Sequence, residues 1–193
     1  MLFLRDDKIL LTRPSVAIVG ARNASTNGRR LAGEIAGQLG EEGYIVVSGL
    51  ARGIDAAAHA DALETGKVAA IAGGIDVVYP SEYEDLQNRI ATTGAVVSEQ
   101  PVGTRPTARH FPARNRVISG LAQGVLVVEA ALKSGSLITS RLALEQGREV
   151  FAVPDSPRDP RCKGTNDLTR QGAILTESAA DIVSALSQQM LSP

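Results

Sequence analysis

Val16-Ala17-Ile18-Val19-Gly20-Ala21-Arg22-Asn23-Ala24-Ser25-Thr26-Asn27-Gly28 decides the fold: a β-branched apolar run, a glycine turn, then Ser, Thr and Asn where a helix can start. A strand without polar alternation has no wet face, so it belongs inside a sheet covered on both sides. The same unit recurs along the chain. Apolar runs return at Ile45–Val47, Val68–Ala72, Ala95–Val97, Val125–Val128 and Glu149–Val153. Segments with helical spacing lie at Asn27–Glu42, Asp55–Thr65, Ser81–Thr93, Ala113–Ala122 and Ser136–Gln146. Strand and helix in alternation predict an α/β fold of three layers, a mostly parallel sheet flanked by helices. Gly43, Gly66, Gly94, Gly124 and Gly147 fall between a helix and the next strand, where a left-handed stop is expected because it needs no Cβ.

The ends read differently. Residues 1–13 are expected to form an edge hairpin or the remnant of an upstream region. Pro154–Gly164 reads as a surface loop, Ala173–Leu175 as a last short strand and Ala179–Leu186 as a closing helix, with 176–193 the helix and tail. No linker divides the chain, so a single domain over 1–193 is expected. With 44% apolar and 21% charged residues among 193, the chain can bury one sizeable core, and aromatics at 3% leave Ala, Val, Ile and Leu to fill it. No apolar run approaches the ~20 residues that span a bilayer, and a soluble, cytoplasmic protein is expected. Cys162 alone excludes an internal disulfide. With only His59 and His110 beside it, no zinc set, metal or cofactor is expected.

Formal charge is −1, but it is unevenly distributed. From Gln100 to Leu144 the chain carries Arg105, Arg109, Arg114, Arg116, Lys133 and Arg141 against Glu129, a local +5. Such a patch faces anions whatever the overall balance. In a parallel sheet ligands bind beyond the carboxyl ends of the strands, where helix N-termini offer N–H groups. Three glycine-rich loops follow the first three strands: Gly20 to Gly28, Ser48 to Asp55 and Gly73 to Asp76. Arg22 and Arg52 sit in the first two, and a guanidinium beside clustered backbone donors suits phosphate, although tight turns need glycine for architecture alone. From Gly20 the next glycine is Gly28, so the dinucleotide pattern G-x-G-x-x-G is missing, and no P-loop occurs.

The densest stretch is Arg105-Pro106-Thr107-Ala108-Arg109-His110-Phe111-Pro112-Ala113-Arg114-Asn115-Arg116. Cations with an aromatic face are what single-stranded nucleic acid requires. An exposed cationic loop, with Phe111 in the core and Arg114 and Arg116 paired to carboxylates, is the structural alternative. Lys133-Ser134-Gly135-Ser136 then leads into a helix, with either serine placed to cap it and Lys133 facing an anion. Catalytic signals are thin. Asp55 and His59 are one helical turn apart and read as capping and packing, Tyr79-Pro80 reads as architecture, and Cys162 has no neighbouring base.

Several motifs now combine: Val16 to Arg22; Ser48 to Asp55 with Ala58-His59; Gly73 to Asp76 with Tyr79-Pro80; Ser98-Glu99; Phe111 to Arg116; Val128-Glu129-Ala130 with Ser134 to Thr139; and Gly164-Thr165-Asn166 with Gly172-Ala173. Together and in this order, the set resembles the DNA-processing protein A (DprA/Smf) family over Ser15 to Leu175. The resemblance implies a Rossmann-like domain that binds single-stranded DNA without sequence preference and forms homodimers. It also implies protection of incoming strands and their transfer to the RecA recombinase in natural transformation, without catalysis. Carried over by motif, the DNA-binding positions are Arg22, Arg109, Phe111, Ser134, Gly135 and Ser136. Arg114, Asn115, Arg116 and Lys133 also match, each either touching DNA or bracing a neighbour.

Where the family continues its last core strand with Pro-Gly, this chain has Pro154-Asp155, a residue that tolerates left-handed backbone but adds a carboxylate near an anion site. Arg158 and Thr169 stand where apolar residues are expected, which bears on any dimer contact nearby. The helical and winged-helix-like domains that flank this region in many relatives are not in the sequence, so a core piece of a longer protein is expected. A nucleotide-binding or nucleotide phosphoribohydrolase-like enzyme on a related sheet is the alternative. Ala72-Gly73-Gly74-Ile75-Asp76 lacks the proline and Gly-Thr of that signature. A protein-binding scaffold is the third reading.

Overall fold

A computed structural model describes residues 1–62 and 65–191, without the side chains of 190 and 191. Eight strands form one sheet: β1 (Phe3–Asp6), β2 (Ser15–Val19), β3 (Ile45–Ser48), β4 (Lys67–Ala70), β5 (Ala95–Ser98), β6 (Gly124–Val127), β7 (Glu149–Ala152) and β8 (Ile174–Leu175). The helices are α1 (Thr26–Glu41), α2 (Ile54–Asp61), α3 (Glu84–Thr93), α4 (His110–Leu121), α5 (Ser136–Glu145), α6 (Lys163–Arg170) and α7 (Ala179–Leu191). Strand order is β1-β5-β4-β3-β2-β6-β7-β8. Every neighbouring pair is parallel except β1 with β5, where Phe3 stands opposite Ser98 and Asp6 opposite Ala95. This is the Rossmann-like arrangement.

Period-two alternation builds the three layers. On β2, Val16 and Ile18 face Ile35 and Leu39 of α1, Ile54 of α2 and Ile182 of α7. Ala17 and Val19 face the opposite way, into a cluster with Val117 and Ile118 of α4 and Ala143 of α5. Ile90 of α3 closes a third cluster over Ala69 and Val96. All five residues of β2 are buried, as the apolar run Val16–Val19 requires, with the Ser15 hydroxyl donating to the Leu121 carbonyl at 2.6 Å. The chain winds from β2 outward through β3, β4 and β5, then returns to place β6 on the other side of β2. That reversal leaves a crevice beyond the carboxyl ends of β2 and β6.

Some expectations shift. The N-terminal stretch forms no hairpin: β1 is a lone edge strand whose partner comes from β5, and Lys8–Thr12 follows as a 3-10 turn. Of the five glycines expected to be left-handed, Gly43, Gly66 and Gly147 are (φ +86°, +114° and +69°). Gly94 has φ −152°, and Gly124 is needed for space, since a Cβ there would meet the Phe151 ring at 2.5 Å. α4 begins at His110, ahead of the expected Ala113, because a proline such as Pro112 is tolerated in a first turn. Phe111 thereby moves from a loop onto a helix. α6 is unforeseen by the sequence reading, and Asp155 is not among the residues with positive φ. Residues 63 and 64 of the expected helix over Asp55–Thr65, and 192–193 of the expected tail, lie outside the described residues. Among the described residues no helix is long and apolar enough to cross a membrane.

Candidate nucleic-acid interface

Two cavities open along the carboxyl rim of the sheet. The larger, about 750 Å³, lies at the switch point and is lined by Arg22, Phe111, Arg114, Asn115, Lys133 and Ser134 to Ser136, among others. The second, about 550 Å³, lies toward the β3 and β4 loops and is lined by Arg22, Arg52, Tyr79, Phe111 and Arg114 with Gly49 and Gly73 of two loops. Arg22, Phe111 and Arg114 belong to both, so they form the wall between them. The Arg22 guanidinium carbon stands 5.2 Å from the centre of the half-buried Phe111 ring, that of Arg114 stands at 6.0 Å, and the Tyr79 ring lies 6.0 Å away, tilted by 55°. A cation over a ring face is attracted by the ring's quadrupole, so each partner orients the other.

Arg114 differs from the exposed Arg22. Only 7% of it is exposed, and Nη1 donates to the carbonyls of Gly49 and Ala70, which ties α4 to the ends of β3 and β4. Burial lowers its pKa, and the nearby Asp55 carboxylate opposes that shift. Asp55, itself buried at the start of α2, accepts from the Gly49 amide at 3.2 Å, and burial raises its pKa. Arg114 therefore braces the wall from behind. Arg52 pairs with Glu82 at 2.6 Å and Arg116 with Glu99 at 2.6 Å, both at the surface, where water screens such pairs and they contribute little.

Two glycines let these elements approach. Gly53, at φ +80°, lies against the carbonyls of Ala21 and Arg22, leaving no room for a Cβ between the first two loops. Gly28 lies against the Glu129 carboxylate, which accepts from the amide and hydroxyl of Ser25 at the start of α1. Of the two serines expected to cap α5, Ser134 sits one residue ahead of the N-cap and accepts from the Ser136 amide at 3.4 Å. Gly135 is the N-cap, already helical at φ −62° and without a side-chain bond, while the Ser134 and Ser136 hydroxyls bond each other at 2.7 Å. Asn115 donates to the Gly135 carbonyl at 3.3 Å and positions this turn against α4.

The structure thus gathers Arg22, Arg52, Phe111, Arg114, Asn115, Lys133, Ser134, Gly135 and Ser136 along one rim. Arg109 and Arg116 line neither cavity; Arg109 is exposed at the head of α4, its Nε 3.4 Å from Nε2 of His110. Tyr79, read from sequence as architecture, joins the aromatic wall; its signal was an aromatic beside a glycine-rich loop. Glu129, Asp155 and Cys162 bring one ligand atom each within 4.8 Å of one another. Burial and the adjacent Asp155 push the Cys162 thiol up to about 12, and Ser25 occupies the Glu129 carboxylate, so the set is a poor cation holder.

His59, one turn beyond Asp55, is fully buried; burial, then the Lys67 ammonium, hold its pKa near about 3. The unfolded chain therefore takes up the proton first. Stability from the neutral ring is complete above about pH 6.5 and is lost as pH falls toward 3, by up to about 1.4 kcal/mol per unit. Urea midpoints followed from pH 7 to 4 should fall less steeply for His59→Asn than for wild type; parallel curves would show that His59 does not drive the loss.

A parallel sheet with a cation-and-aromatic wall at its switch point defines a Rossmann-like domain with an anion-facing rim. The sequence model of the family described as DNA recombination-mediator protein A matches residues 1–187, and the chain belongs to that family. It is 43% identical over 192 residues to the DNA processing protein DprA of Bacillus subtilis, aligning 98% of this chain with 65% of that protein. The X-ray structure of DprA from Streptococcus pneumoniae superposes with a TM-score of 0.91 at 43% identity, covering 95% of this chain and 65% of that one. DNA processing protein A from Helicobacter pylori, in a structure that describes its single-stranded DNA binding mode, superposes at 0.90 with 29% identity, covering 97% and 87%. The chain spans 65% of the length of the Bacillus and Streptococcus relatives.

Proposed function

We propose that this domain binds single-stranded DNA with little regard to sequence and serves DNA processing in natural transformation. The observation that carries the reading is the Arg22–Phe111 wall shared by the two cavities. A single strand offers flexible phosphates for the arginines and an exposed base for the ring, and every base has a π-face, so stacking tolerates any sequence. The Helicobacter relative, described as binding single-stranded DNA, supports the ligand class. Protection of incoming strands, loading of RecA and action as a cytoplasmic homodimer complete the reading on the family's account. No catalysis is assigned. Glu129, the acid that a nucleotide hydrolase would use, lines neither cavity and is turned toward Ser25.

A titration of labelled oligothymidine at several salt concentrations tests this. If roughly four phosphates are neutralised, log K against log[salt] should slope near about −3, at about −0.7 per phosphate for single strands. Arg109→Ala, removing one exposed cation at the head of α4, should bring the slope to about −2. A flat salt response, or equal affinity for duplex, would overturn the reading.

A further inference from the structure

Arg161 lies on the loop from β7 to α6, outside every motif that supports the functional reading, yet it lines the switch-point cavity with Lys133 and Ser134. Its guanidinium is held rather than loose. Nη2 donates to Asp159 Oδ2 at 2.6 Å, Nε reaches both Asp159 oxygens at 3.1 and 3.2 Å, and the Arg161 amide donates to Oδ1 at 2.9 Å. That leaves Nη1 outside the ion pair on a side chain 43% exposed. The surroundings are acidic: Asp155 is exposed a few residues back, and Glu129 lies close enough to act on the Arg161 charge. Asp159 is the carboxylate that pairs with Arg161, and Arg161 is the side chain through which this loop lines the cavity, so a phosphate entering this end of the crevice meets the cation first.

We propose that Arg161, oriented by Asp159, is a phosphate contact for single-stranded DNA that carries the backbone from the Ser134 turn past the acidic end of the crevice. The inference rests on the single-strand reading above. A preset guanidinium loses little side-chain freedom on binding and presents its remaining donors in a fixed fork.

The test is an oligothymidine titration over a range of salt with wild type, Arg161→Ala, Arg161→Lys and the double variant Arg161→Ala, Asp159→Ala. Arg161→Ala should move the slope toward zero by about 0.7, which amounts to about fivefold weaker binding at 0.1 M salt relative to 1 M. Arg161→Lys keeps the charge and should keep the slope, a rescue that a merely structural role would not give. The double variant should keep the reduced slope of Arg161→Ala. Its return to the wild-type slope would mean that Arg161 only cancels Asp159, and an unchanged slope in Arg161→Ala would mean that no phosphate lies there; either overturns the inference alone. Wild type that binds no oligothymidine would instead sink the functional reading beneath it.

Discussion

Phe111→Ala is expected to weaken oligothymidine binding by roughly 5- to 150-fold, the equivalent of the ~1–3 kcal/mol that one stacked base contributes. The slope against salt should not change, because Arg22 and the other cations keep their charges. Phe111 sits on the first turn of α4, half-buried, with Arg22 at 5.2 Å and Tyr79 at 6.0 Å from its centre. Truncation removes the platform and the partner that orients Arg22, while the helix behind it remains anchored by Val117 and Ile118. Phe111→Leu, which restores apolar bulk without a ring face, should recover thermal stability but not affinity. Wild-type affinity in Phe111→Ala would place the bases elsewhere.

Arg114→Ala should act on stability first. Removing the guanidinium leaves the carbonyls of Gly49 and Ala70 without their donor and Asp55 buried without its nearest cation. Breaking such a buried charge arrangement costs about 3–5 kcal/mol, readable as a shift in the urea midpoint. Binding should weaken as well, because the wall is no longer held. Measured where the variant is folded, the salt slope should match wild type, since a guanidinium so deeply buried releases no counterion. A slope reduced by about 0.7 would show instead that Arg114 meets a phosphate itself.

The contrast between Arg22 and Arg114 shows what a sequence conceals. Both lie in family motifs, Arg22 in a glycine-rich turn and Arg114 in the cationic stretch, and nothing local says that one is exposed against an aromatic face and the other spends its donors on backbone carbonyls. That difference arises from the packing of α4 across β2, β3 and β4, a contact between residues separated by 44 and 65 positions. Arg161 was illegible for the same reason: a charged loop residue acquires a role only when a strand from elsewhere, here β6, places Lys133 and Ser134 opposite it. α6 escaped notice because its sequence, Lys163 to Arg170, is polar apart from Leu168, so little apolar periodicity announces it.

By itself the sequence determined the order of strands and helices from β2 onward, α6 apart, together with the burial of the strands and the layered α/β class. Those follow from local periodicity, from glycines at the turns and from apolar runs that admit no wet face. It also determined that cations and an aromatic gather in one stretch. Only the tertiary structure decided which arginines face solvent, which brace the wall and which loops meet. Crossover connections bring distant segments to the same rim, and the burial and pairing of a charge depend on neighbours in space rather than along the chain.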